Sequence, residues 1–319
     1  MRKILSVLMA AVMAAGVCLS MSGCDKKSDV YTVGICQLVT HEALDSATQG
    51  FKDALIKKLG KDKVKFDYQN AQGDSAMCST IVNKFVSDKV DLIMANATAS
   101  LQAAYNATEK IPILGTSVTE YGVALNLKNF NGKVGGNVSG TSDLAPLEKQ
   151  ADAMLELVPT AKNVGLLYCS AEPNSEYQVK VVEEYLKKKG VSAKRFSFSD
   201  TNDVAAVTKA AADASDVIYV PTDNTAASCS ETVGSVVRAA KVPIFAGEAG
   251  ICKGCGIATL SISYYDLGYK TGEMAAEILL GNKKIEDMPI EYVDAVKKYN
   301  PDICKELGIT VPSDYAALS

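Results

Sequence analysis

Tryptophan is absent from this chain of 319 residues, and histidine occurs once, as His41. One histidine all but excludes a Ser-His-Asp or Cys-His catalytic set and rules against a multi-histidine metal site. His41 is therefore read as capping or packing a helix start. A phosphate loop is missing too: residues 132–140 are glycine-rich, but no Gly-Lys-Ser/Thr follows. Basic charge is scarce. The formal net charge is −4, and a nucleic-acid partner would need clustered Lys and Arg. Acids are plentiful, yet no catalytic motif marks any pair of them. An enzyme is not expected.

No apolar run reaches the ~20 residues of a membrane-spanning helix. Arg2 and Lys3 precede an apolar stretch from Ile4 to about Val17, and small residues lead to Gly23-Cys24. That layout predicts a secretory signal over residues 1–23. Ser22-Gly-Cys24 resembles a bacterial lipobox, with Met21 where Leu is usual. The resemblance implies cleavage before Cys24, lipidation of its thiol, a tether over 24–29 and an extracytoplasmic, membrane-anchored protein. Cleavage removes Arg2 and Lys3 and no acid, which leaves the mature chain at −6. Of nine cysteines, Cys18 leaves with the signal and Cys24 is lipidated, so seven remain and cannot all pair internally. Cys252-Lys-Gly-Cys255 has no second pair or histidine to complete a zinc site. Cys36 and Cys169 are read as packing residues.

The chain is organised around Asp216-Val-Ile-Tyr-Val-Pro-Thr-Asp-Asn224. Its apolar run reads as a strand buried on both faces, and Pro221 stops it. Thr222, Asp223 and Asn224 then stand at the carboxyl end of that strand, where ligands bind in open α/β sheets. The layout is repeated. Asp91-Leu-Ile-Met-Ala-Asn-Ala-Thr98 resembles it, Lys110-Ile-Pro-Ile matches Lys241-Val-Pro-Ile 131 positions later, and Val33-Gly-Ile35 matches Val164-Gly-Leu166. Similar blocks in one order at a near-constant offset predict two lobes of one design. Strands alternating with helices predict a parallel sheet in each.

The fold expected is therefore α/β, with two Rossmann-like lobes joined by a three-segment hinge. Lobe one takes 30–138 and 258–282, and lobe two takes 139–257 and 283–319. The glycine-rich 132–140 carries the first crossing, 258–262 returns to lobe one, and 289–293 crosses a third time. Asp74 or Ser75 is expected to cap one helix, whose apolar face includes Met77, Ile81, Val82 and Phe85. Ser142 or Asp143 is expected to cap another.

Matched strand ends differ in charge. Lobe one offers Thr98 and Ser117 where lobe two offers Asp223 and Glu248. A hydroxyl wall facing an acid wall suits a zwitterion, with its ammonium toward Glu248, because an unpaired charge in a closed cleft is costly. Tyr219, Phe245, Tyr264 and Tyr265 are candidates to face a ring, though core packing suits each as well.

Five ordered motifs then carry a family resemblance: Gln37-Leu-Val-Thr-His-Glu-Ala-Leu-Asp45, Asn137-Val-Ser-Gly-Thr-Ser-Asp143, Tyr168-Cys-Ser-Ala-Glu-Pro-Asn-Ser175, Pro221-Thr-Asp-Asn224 and Ala258-Thr-Leu-Ser-Ile-Ser-Tyr-Tyr-Asp-Leu-Gly268. They resemble the ABC transporter substrate-binding family that includes tryptophan- and tyrosine-binding lipoproteins. The resemblance implies a type I periplasmic-binding fold, no cofactor, and a monomer delivering an amino acid, often aromatic, to ABC permease subunits. The ligand contacts it implies are Gln37, Thr98, Ser100, Thr116, Ser117, Asp143, Glu172, Asn174, Ser175, Asp223, Asn224 and Glu248. Glu42 departs from the family pattern, which commonly has Pro there. A sugar or nucleoside receptor on the same fold is the alternative, and the missing tryptophan counts against a sugar.

Overall fold

The computed structural model describes residues 30–318. The expected signal, tether and Cys24 lie outside the described residues.

The internal repeat folds into two sheets with the same strand order. The first contains β1 (Tyr31–Gln37), β2 (Val64–Asn70), β3 (Leu92–Asn96), β4 (Ile113–Val118) and β5 (Val138–Ser142), ordered β2-β1-β3-β4-β5. The second contains β6 (Asn163–Cys169), β7 (Ser192–Phe198), β8 (Val217–Val220), β9 (Ile244–Ala246) and β10 (Ala258–Ser261), ordered β7-β6-β8-β9-β10. All pairings within these two sets are parallel. Strands β3 and β8 are buried throughout, as their apolar runs require. Apolar clusters from the covering helices pack on both faces of each sheet.

The crossings fall later than the sequence suggested. Residues 258–261 do not return to lobe one: Ala258 pairs with Phe245 in the second sheet. Likewise Val138 pairs with Ile113, so 138–142 is the fifth strand of the first sheet and not a linker. Residues 138–142 are short and rich in small polar residues, which hides a strand, whereas 258–262 reads as a strand but nothing local says which sheet it joins. Each nevertheless covers the open edge of its own sheet. The helix Tyr264–Leu279 then crosses back to lie on the helix Glu42–Leu59 of lobe one. Short β11 (Glu291–Tyr292) joins the first sheet beside β5. β12 (Val296–Tyr299), antiparallel to β10, and β13 (Ala316–Ala317) finish the second. The chain therefore passes between sheets after 142, after 261 and after 292.

Glycines set the packing of the helix Tyr264–Leu279. A Cβ on Gly272 would lie 2.5 Å from the Phe51 carbonyl oxygen, and one on Gly268 would overlap the Ala47 carbonyl. Bare backbone at these points lets the two helices touch directly.

Candidate functional site

The carboxyl ends of both sheets face each other across a cleft. Strand β4 shows how the chain turns side chains into it. Gly115 lies opposite Gly140, and the register of β4 and β5 shifts between Gly115 and Val118. A Cβ on either glycine would collide with the Tyr121 hydroxyl or the facing backbone. Within this irregularity Ser117 holds a left-handed backbone, φ 54°. That conformation is costly for a residue with a Cβ and clusters at functional positions. Ser117 is buried, and its Oγ has no hydrogen-bond partner.

Asp143 follows β5 directly. It does not cap a helix: the next one runs Leu147–Leu157, with Pro146 at its N-cap. Its Oδ2 accepts from the Tyr264 hydroxyl at 2.9 Å, while Oδ1 is buried without a partner. Burial raises the Asp143 pKa, against the Tyr264 and Thr119 hydroxyls, which favour the ionised form.

Asp223 and Glu248 come from lobe two, and each caps its own helix. Asp223 accepts from the Ala226 amide at 2.8 Å and from the Cys169 amide at 2.6 Å. Glu248 accepts from the Gly250 amide at 2.6 Å and from the Ile251 amide. Burial pushes Asp223 up to about 8, helped by the charge of Glu172, and pushes Glu248 up to about 7. Their capping amides oppose the rise. No Lys or Arg among the described residues forms an ion pair with any of the three acids.

Of the twelve contacts implied by the family motifs, six line this cavity: Ser117, Asp143, Asn174, Asp223, Asn224 and Glu248. The other six do not. Gln37 spends its side chain on Val39, Asp45 and Thr48, which ties the end of β1 to the helix beside it. Ser100 sits between the Cys36 and Cys78 thiols, and Thr116 meets Thr141 behind the sheet end. Thr98 is buried at a helix start away from the cavity, and Ser175 is buried against Asn174. Glu172 takes hydrogen bonds from Asn174, from the amide and side chain of Asn224, and from the amide and hydroxyl of Thr225. Its role is to clamp the segment after β8.

Thr222 lines the cavity, as its place at the end of β8 suggested; Thr119, Leu44 and Ala227 line it too but were missed, since Thr119 is a lone loop hydroxyl and Leu44 and Ala227 read as ordinary helix residues. Tyr264 lines it, with its hydroxyl bonded to Asp143. Tyr219 is core and bonds Gln150, Phe245 is core, and Tyr265 is exposed. His41 occupies a helix N-cap without bonding it, and its Nε2 lies 3.3 Å from Asn224 Oδ1 across the cleft. The Thr119 and Thr222 hydroxyls meet at 3.5 Å, and Lys253 pairs with Glu42 at 3.5 Å. The lobes are thus in contact, and the cavity between them retains only about 10 Å³ of free space.

Two parallel-sheet lobes closing on a polar cavity at their strand ends define a two-lobed solute-binding protein of the type I periplasmic-binding fold. The chain belongs to the ABC transporter substrate binding protein family, whose model matches residues 32–318. It is 40% identical to a tyrosine-binding protein of Clostridioides difficile (strain R20291), over 97% of this chain and 93% of that one. Among solved structures, a Streptococcus pneumonia ABC domain in complex with L-Trp is 34% identical with TM-score 0.85, covering 89% of this chain and 96% of that one. The ligand-free, open structure of a Clostridium difficile substrate binding protein with adhesive properties is 40% identical, yet its TM-score is 0.70, over 91% of this chain and 99% of that one. The more identical protein superposes less well. The lobes of this chain therefore match the L-Trp complex better than the open form, in keeping with the contacts across its cleft.

Proposed function

We propose that this protein is an extracytoplasmic, lipid-anchored receptor that captures an aromatic amino acid between its lobes and, as a monomer, hands it to an ABC permease. One observation carries the ligand class: a carboxylate oxygen of Asp143 and the hydroxyl of Ser117 line one closed cavity, both buried and both unpartnered. Buried polar groups are almost always satisfied, so a pair left open calls for a ligand bearing a cation and an acceptor. An amino acid supplies both. The similarity to a tyrosine-binding protein and to an L-Trp complex supports an aromatic side chain. The signal-like N-terminus ending at Cys24 supports the anchor.

This reading moves the ammonium from Glu248 to Asp143. Both Glu248 oxygens are engaged by the amides of its own helix, whereas Asp143 keeps one oxygen free. The test is calorimetry with L-tyrosine and with its counterpart lacking the amino group. Asp143→Asn keeps the side-chain shape and removes the charge. Breaking a buried charged pair costs about 2–5 kcal/mol. At ~1.4 kcal/mol per decade, L-tyrosine should weaken more than about tenfold. The amino-free analogue should weaken less, and Glu248→Gln should cost less than Asp143→Asn. Equal losses for the two ligands would remove Asp143 from the ammonium site.

A further inference from the structure

The closed cavity is too small for an aromatic side chain, so the rest of such a ligand must extend beyond it. Two larger spaces adjoin it between the lobes. One, of about 310 Å³, shares His41, Ala227 and Glu248 with the cavity; Glu42, Glu231 and Lys253 make its walls charged. The other, of about 320 Å³, shares Asn224 with the cavity. Leu38, Val39 and Ala99 of lobe one face Ala171 of lobe two across it. Of the two acids on its wall, Glu172 is already saturated by donors from Asn174, Asn224 and Thr225, and Asp200 is exposed and accepts from the Asn202 amide.

We propose that this second chamber receives the side chain of the bound amino acid, and that Leu38, Val39, Ala99 and Ala171 set its specificity for an aromatic ring. The inference rests on the amino-acid reading above. Burying a ring against the apolar part of this lining, Leu38, Val39, Ala99 and Ala171, is favourable in proportion to the apolar area removed from water, while Gln72, Ser75 and Ser199 supply a polar rim. The charged chamber would instead strip water from Glu42 and Lys253. Walls from both lobes also make the ring part of what holds the cleft shut. A small amino acid leaves these surfaces wet, and a large apolar one draws them together.

Filling the chamber tests this. Ala171 is an exposed turn residue, so Ala171→Phe should leave folding intact. Ala99→Phe fills the chamber from the other lobe, and Glu231→Phe crowds the charged chamber instead. Binding of L-tyrosine, L-tryptophan and L-alanine is measured calorimetrically on each. Ala171→Phe and Ala99→Phe should weaken the two aromatic ligands at least ~tenfold more than L-alanine, which corresponds to about 1.4 kcal/mol of discrimination. Glu231→Phe should shift that ratio less than about threefold. An unchanged ratio in both chamber variants, or a selective aromatic loss in Glu231→Phe, overturns the assignment. Failure of the unaltered protein to bind any amino acid would instead sink the amino-acid reading itself.

Discussion

At the scale of single residues, the cavity is defined by where negative charge is buried. Asp143, Asp223 and Glu248 share one small space, and no cation among the described residues offsets them. For Asp223 the shift runs from 3.8 to about 8, and for Glu248 from 4.5 to about 7. Both rise, so between these values the folded form holds more protons than the unfolded chain. Their contribution to stability is full below the unfolded values and is lost as pH rises through about 7 to 8. The ligand-free protein should therefore melt higher near pH ~5.5 than near pH ~8.5. Asp223→Asn should narrow that gap, and saturating L-tyrosine should narrow it as well, because its ammonium compensates the ionised acids. A melting temperature that rises or stays flat over this range would show these acids solvated in the ligand-free protein. The acids were visible in the sequence as residues at strand ends. Which oxygen stays free was not, because the answer depends on Tyr264, 121 positions from Asp143, and on whether a helix amide lies within reach.

At the scale of elements, capping and periodicity were legible where the signal is local. Asp74 caps the helix Ser75–Ser87 as expected, accepting from Ala76 at 2.8 Å. On that helix Ile81, Val82 and Phe85 are buried, but Met77 is 44% exposed and Cys78 takes the inward position. The contact between the helices Glu42–Leu59 and Tyr264–Leu279 was hidden, since Gly50, Gly268 and Gly272 read as ordinary glycines until the backbones meet. Gly268→Ala forces a methyl into the Ala47 backbone. Such overpacking costs about 1–3 kcal/mol, which should lower the melting temperature by several degrees. Unchanged melting would mean that the two helices can separate without loss.

At the scale of the whole molecule, three connections join two lobes that meet across a polar cavity, the arrangement for closure about a hinge. The anchor and the hinge can be examined on one variant. Cys24→Ser should either release the protein from the membrane fraction into solution or leave it unprocessed, with its signal attached. X-ray scattering of that soluble form should then show a smaller radius of gyration on adding saturating L-tyrosine. Membrane retention equal to that of the unaltered protein, with the signal removed, would reject the lipid anchor. Unchanged scattering from ligand-saturated protein would reject closure.

The sequence by itself determined the two-lobed plan. A repeated order of apolar runs and helical stretches can satisfy its buried faces only as two sheets of one topology, with polar residues gathered at their carboxyl ends. Only the tertiary structure decided which lobe owns residues 258–261, and which acids are spent on amides while Asp143 stays open. The physical reason is range. Periodicity, capping and turn chemistry act over a few residues and leave their mark in local composition. Edge pairing and the filling of hydrogen bonds depend on partners far along the chain, such as Asp143 with Tyr264 or His41 with Asn224.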